Sequence, residues 1–152
     1  KEIAEQQNKI ALFEKRYRVY REICRCSTFS YMLKLANEPE DARMIFLVSF
    51  EKESMVDMTI EELNKPYWIR KILISSQKLS EILRETEFLF ADYPEIFEYT
   101  EKIVTAMVKL YSPLTNNEEF AKYKQQFISI MNEEGYEKVL SQMNKELQLK
   151  RT

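Results

Sequence analysis

Residues 1–36 read KEIAEQQNKIALFEKRYRVYREICRCSTFSYMLKLA and contain neither Gly nor Pro. With nothing to break it, the stretch predicts one helix of roughly 50 Å, at 1.5 Å rise per residue. Ile3, Ile10, Tyr17, Cys24 and Tyr31 recur every seven residues, Phe13 and Tyr20 sit three beyond, and Leu12, Val19 and Ile23 widen the set. Such a repeat marks a coiled-coil-like seam broad enough to pack in a bundle, so the row from Ile3 to Tyr31 is expected to face inward. Upstream of Ile10 the pattern thins to Glu5, Gln6, Gln7 and Asn8, as in a stalk projecting beyond its domain.

The rest of the chain carries the same message. Its 152 residues hold one Gly and four Pro, too few for the positive-φ turns of sandwiches, barrels and hairpins. Good helix formers such as Glu, Lys, Leu and Met take their place. Asn37-Glu38-Pro39-Glu40-Asp41 ends the first helix and opens another, with Pro39 at a first helical position and acids behind it. The apolar run from Met44 to Phe50 is too short to assign by period, and the start signal before it favours helix over a buried strand. Thr59-Ile60-Glu61-Glu62 fits a capping box. Pro66 starts a long helix to about Phe90, and Pro94 starts the next, closed by Ser112-Pro113. After an Asn116 or Asn117 cap, Phe120, Tyr123, Phe127, Ile130 and Met131 form one stripe. Tyr136, Val139, Leu140, Met143 and Leu147 form a second, rotated well away from it. Gly135, between the two, is read as a break or sharp kink.

The expectation is one all-α domain over 1–152, an irregular antiparallel bundle of about five or six helices. Its parts are a long first helix at 1–36, short helices in 37–65, and bundle helices at 66–91, 94–111, 117–134 and 136–149. The structure of 43–58 is left open.

There is no His, which removes the usual base of Ser and Cys hydrolases, the commonest zinc ligand and the Glu-x-x-His pair of di-iron bundles. A single Gly leaves no phosphate-cradling loop. No catalytic residue, metal ligand or cofactor is assigned. A formal charge of −2 argues against a dedicated nucleic-acid binder. No apolar run reaches the ~20 residues that span a bilayer. The sequence opens at Lys1 already in helical phase, so the natural start is expected upstream.

From Lys9 to Arg25 six cations meet only Glu14 and Glu22. The plain reading is an ion-paired helix surface, with Glu14 four before Arg18 in the favourable order. In the functional reading Lys15, Arg18, Arg21 and Arg25 face a membrane surface or a partner. A polynucleotide is the third reading, although no aromatic interleaves Arg18, Arg21 and Arg25 as base stacking wants. Arg16 differs, because it falls between Tyr20 and Ile23 inside the apolar arc. It is expected to form a buried ion pair or to cap carbonyls within the bundle.

Cys24 lies on the seam as a small core residue, with Cys26 on the flank. Two apart on a helix, they diverge by about 160° and cannot share a metal. Asp92, Glu95, Glu98 and Glu101 lie opposite the apolar stripe of their helix, as a solvated face does, and Glu133-Glu134 flank a helix end. Phe88, Leu89 and Phe90 together point around most of the circumference. Either neighbours enclose Phe88, which is the favoured reading, or it contacts another chain.

The opening Gln7-Asn8-Lys9-Ile10-Ala11-Leu12-Phe13-Glu14-Lys15-Arg16-Tyr17, continuing to Val19-Tyr20, resembles one that recurs in uncharacterised bacterial proteins behind one or more transmembrane helices. Thr86-Glu87-Phe88-Leu89-Phe90, followed by an acidic helix start, resembles a second feature of that group. The order of helices matches over most of the chain, and the segment from Arg43 to Met58 departs from it. The resemblance implies the helical cytoplasmic domain of a membrane-anchored protein and implies no reaction.

The functional expectation is a non-enzymatic interaction, sensing or scaffolding domain at the cytoplasmic face of the inner membrane, with a protein partner or a second copy on the first helix. The alternatives are a ligand-responsive or catalytic domain with a cavity lined by carboxylates, Tyr and Lys, and nucleic-acid binding through the basic first helix.

Overall fold

The computed structural model describes residues 2–51, 59–132 and 134–149. The chain runs through α1 (Glu2–Leu33), α2 (Pro39–Phe46), α3 (Ile60–Leu63), α4 (Pro66–Arg84), α5 (Thr86–Leu89), α6 (Pro94–Tyr111), α7 (Asn117–Asn132) and α8 (Glu134–Leu149), with a π-helical turn over Leu47–Glu51 prolonging α2. Local chemistry sets most of the starts. Pro39, Pro66 and Pro94 open their helices where a missing N–H costs nothing. The Asp41 carboxylate accepts from the backbone N–H groups of Asn37 and Glu38 at 2.9 and 3.2 Å. The Thr59 hydroxyl accepts from the Glu62 N–H at 3.2 Å. Asn116 and Glu119 cap one another, side chain to backbone, at 2.7 and 3.4 Å.

Contacts between helices fix their directions. Ser76 meets Tyr111 and Arg84 meets Glu101, so α4 opposes α6. Tyr99 reaches the Ile130 carbonyl while Lys109 lies over Tyr123, so α7 opposes α6 too. Gln142 meets Glu95 and Tyr99 packs near Tyr136, which sets α8 against α6. Phe29 with Phe127 and Ala36 with Lys124 set α1 against α7, Arg16 with Glu146 and Ser27 with Tyr136 set it against α8, and Arg18 reaches Glu85 just past the end of α4. The bundle therefore has α1 and α6 running one way and α4, α7 and α8 the other.

The core is built on aromatic rings from five elements. Phe29 of α1 lies 6.3 Å from Phe46, 5.9 Å from Phe50 and 5.6 Å from Phe127, and Phe46 lies 4.9 Å from Tyr111. Edge-on and tilted rings at these spacings add to the area they bury. Around them pack Ile23, Leu33, Leu47, Leu83, Ile103, Met107 and Met143, all buried.

Several boundaries differ from the sequence reading. The helix from Pro66 stops at Arg84, and α5 follows as a separate turn. The Thr86 hydroxyl, which donates to the Leu83 carbonyl at 2.8 Å, stands at that junction as a local competitor to the backbone ladder. The break expected at Gly135 falls earlier, since α7 ends at Asn132 and α8 begins at Glu134 with Gly135 in its first turn. Glu133 lies outside the described residues. Met44 to Glu51 are helical, and 52–58, the remainder of the open segment, lie outside the described residues. Among the described residues no helix is long and apolar enough to cross a membrane.

Candidate interaction surface

α1 carries apolar residues on two faces, and the bundle uses one. Val19, Ile23, Cys26, Phe29 and Leu33 are buried. Their spacing of three and four follows the 3.6-residue turn of a straight helix, so they stay in line beside α4, α7 and α8. The seven-residue row expected in the core lies outside it. Ile3, Ile10, Tyr17 and Tyr31 are 75%, 53%, 47% and 74% exposed, and Cys24 is half-buried. On a straight helix this row drifts by about 20° per repeat and stays in register only against a supercoiled partner. At about 100° per residue it sits roughly opposite Val19. Residues 2–11 are exposed throughout, an overhang of about 15 Å.

Phe13, Tyr17 and Tyr20 form a ladder along the helix, with stacked centroids 6.2 and 6.4 Å apart. Its two sides differ. On one, Tyr20 packs against the core and Ser27 bonds to Tyr136 of α8. On the other stand the charges. Arg18 reaches Glu85 at 3.2 Å rather than Glu14, and Arg25 reaches the buried Glu22 at 2.9 Å. Lys15, Glu14 and Arg21 are exposed and hold no ion pair among the described residues. The basic strip is thus half neutralised by the chain, which speaks against a polyanion.

The structure places Arg16 in a tie between three elements. Its Nε donates to the Leu89 carbonyl at 2.8 Å, its Nη1 lies 3.2 Å from the Glu146 carboxylate, and the guanidinium sits 5.4 Å over the Phe90 ring. Planar, multidentate donation of this kind is what Arg does and Lys does not. Phe88 is 79% exposed, so the enclosure favoured from sequence does not occur. Leu89 and Phe90 turn inward, and a residue about 100° before them on a one-turn surface helix is left facing out.

The cysteines exchange the expected roles. Cys26 is buried and Cys24 half-buried, because the core face is centred on Val19 and not on the seven-residue row. Burial pushes both thiols above their usual range, Cys26 strongly so with the Glu22 carboxylate adding to it, while a Tyr20 hydrogen bond offsets part of the rise at Cys24. Maleimide at neutral pH is expected to add one label slowly to the native chain, at Cys24, and a second only in denaturant. Equal labelling of both thiols in native mass spectra contradicts this placement.

Elsewhere the side chains are occupied structurally. Glu101 pairs with Arg84 at 3.0 Å and Glu95 accepts from Gln142 at 2.5 Å, whereas Asp92 and Glu98 are exposed. An open groove of about 680 Å³ runs between α6 and α7, with Glu98, Glu101, Lys102 and Lys109 on one wall and Gln125 and Gln126 on the other. Among the described residues no group of three or more His, Cys, Asp or Glu could hold a metal ion.

Sequence reasoning missed Arg43, which is buried. Its Nε donates to the Tyr111 carbonyl at 3.1 Å and its Nη1 to Asn64 Oδ1 at 2.6 Å. The Glu40–Arg43 spacing was the one local sign of it. Comparison with family models, with curated proteins and with solved structures finds no match to this chain.

Proposed function

We propose that this is a non-enzymatic interaction and scaffolding domain that self-associates through the outward face of α1, in a bacterial protein anchored at the cytoplasmic face of its membrane. One observation carries the reading. α1 has a second apolar row, Ile3, Ile10, Tyr17 and Tyr31, that the bundle leaves in solvent. Exposed apolar residues are ordinary when scattered. Here they stand in line at coiled-coil spacing on a helix that also overhangs its domain, which is the form of a docking surface. The anchoring part is supported by the family-like opening from Gln7 to Tyr20, and it is checked by whether the full-length gene product sediments with membranes.

Self-association has its own test. In sedimentation equilibrium at increasing concentration the chain is expected to form dimers. An Ile10→Glu/Tyr17→Glu variant is expected to stay monomeric, with its unfolding free energy changed by about 0.5 kcal/mol or less per site, as for exposed positions. A chain that remains monomeric at millimolar concentration removes the proposal.

A further inference from the structure

We infer that the occupant of this face is a second copy running antiparallel to the first, with Glu14 of each α1 paired to Arg21 of the other. This rests on the proposed role of α1 as the docking face and adds an orientation to it. α1 spans Glu2–Leu33, so full overlap of two antiparallel copies is centred between Tyr17 and Arg18. Residues equidistant from that centre then lie side by side. Ile3 comes beside Met32 and Tyr31 of the other copy, Ile10 beside Arg25 and Cys24, and Tyr17 close to the two-fold axis. The whole exposed row is covered, and the dipoles of the two helices oppose one another favourably.

The charges agree. Glu14 and Arg21 lie on the same flank of Tyr17, about 60° and 40° round from it. They are equally far from the centre in opposite directions. Arg18 and Arg25, their neighbours, are held by Glu85 and Glu22. Glu14 and Arg21 are exposed and carry no hydrogen bond or ion pair among the described residues. An antiparallel pair brings each Glu14 to an Arg21, twice by symmetry. A parallel pair in register puts the two copies of this flank on opposite sides of the seam and forms neither pair.

The experiment is a charge-swap cycle on the full chain, read as the dimer dissociation constant in sedimentation equilibrium. Glu14→Arg and Arg21→Glu are each expected to weaken the dimer about tenfold or more, by turning two attractions into two repulsions. The double variant restores both pairs and is expected to return to within about twofold of the parent. Melting curves of all four chains, taken at concentrations low enough that each is monomeric, are expected to superpose, since neither side chain has a partner within its own chain among the described residues. If all four dimerise alike, the antiparallel pairing is wrong and self-association stands. If the parent chain stays monomeric, both the antiparallel pairing and self-association fall.

Discussion

Phe29→Ala is expected to cost this domain about 4 kcal/mol, the largest effect of any single truncation considered. Phe29 is fully buried and its ring touches those of Phe46, Phe50 and Phe127. It is where α1, α2, the π-helical turn and α7 meet, so no one helix can shift to close the space. Loss of the ring removes both its transfer free energy and the edge contacts of three neighbours. In a chain of this size about 4 kcal/mol lowers the melting temperature by roughly 12 °C, out of a total stability on the order of 5–15 kcal/mol. Phe88→Ala is the internal control, because Phe88 is exposed and is expected to change stability by about 0.5 kcal/mol or less. Calorimetry on the two variants checks both. Similar melting temperatures for the pair contradict the core as described.

Arg43→Met is expected to destabilise by about 3 kcal/mol. The guanidinium is buried and donates to the Tyr111 carbonyl at 3.1 Å, to Asn64 Oδ1 at 2.6 Å and to the Ser112 carbonyl at 3.5 Å. It closes the C-terminal end of α6, where carbonyls lack donors and the helix dipole favours a cation. Burial draws its pKa down from the usual guanidinium range, with the Glu40 carboxylate, 4.0 Å away, opposing the shift. Three acceptors and a carboxylate face the guanidinium and offset part of that burial.

Methionine fills most of the volume and supplies no donor, so the acceptors are left buried and unpaired. Arg43→Lys keeps the charge but loses the fork, and its cost is expected to fall about midway. The order Arg, then Lys, then Met in urea midpoints separates a hydrogen-bonding role from simple packing. A Met variant as stable as the parent rules the bonding role out.

The two residues show what a sequence holds and what it leaves unsaid. Pro39, Pro66, Pro94, Thr59 and Asn116 act on backbone within four residues of themselves. The helix starts they set, and the all-α class that follows from one Gly in the whole chain, were legible without a structure. Arg43 was not, since its acceptors lie 21 and 68 residues away along the chain. Arg16 was half legible. Its place inside an apolar arc demanded a polar partner, yet Leu89 and Glu146 come from helices whose docking no local rule specifies. The break between α4 and α5 depended on whether Thr86 would bond backward to Leu83, a choice that local propensity leaves close to even.

The outward face of α1 is the sharpest instance. The sequence by itself determined that this segment is a long helix with a broad apolar set, read there as one inward seam, because helix formation is decided by local backbone preference and the absence of breakers. Which face is buried was decided only by tertiary structure. Burial follows the partners: Phe46, Phe127 and the antiparallel α4, α7 and α8 surround the face of Val19, Ile23, Cys26 and Phe29. The seven-residue row lies on the other side of the same helix, so docking the Val19 face against the bundle leaves that row in solvent.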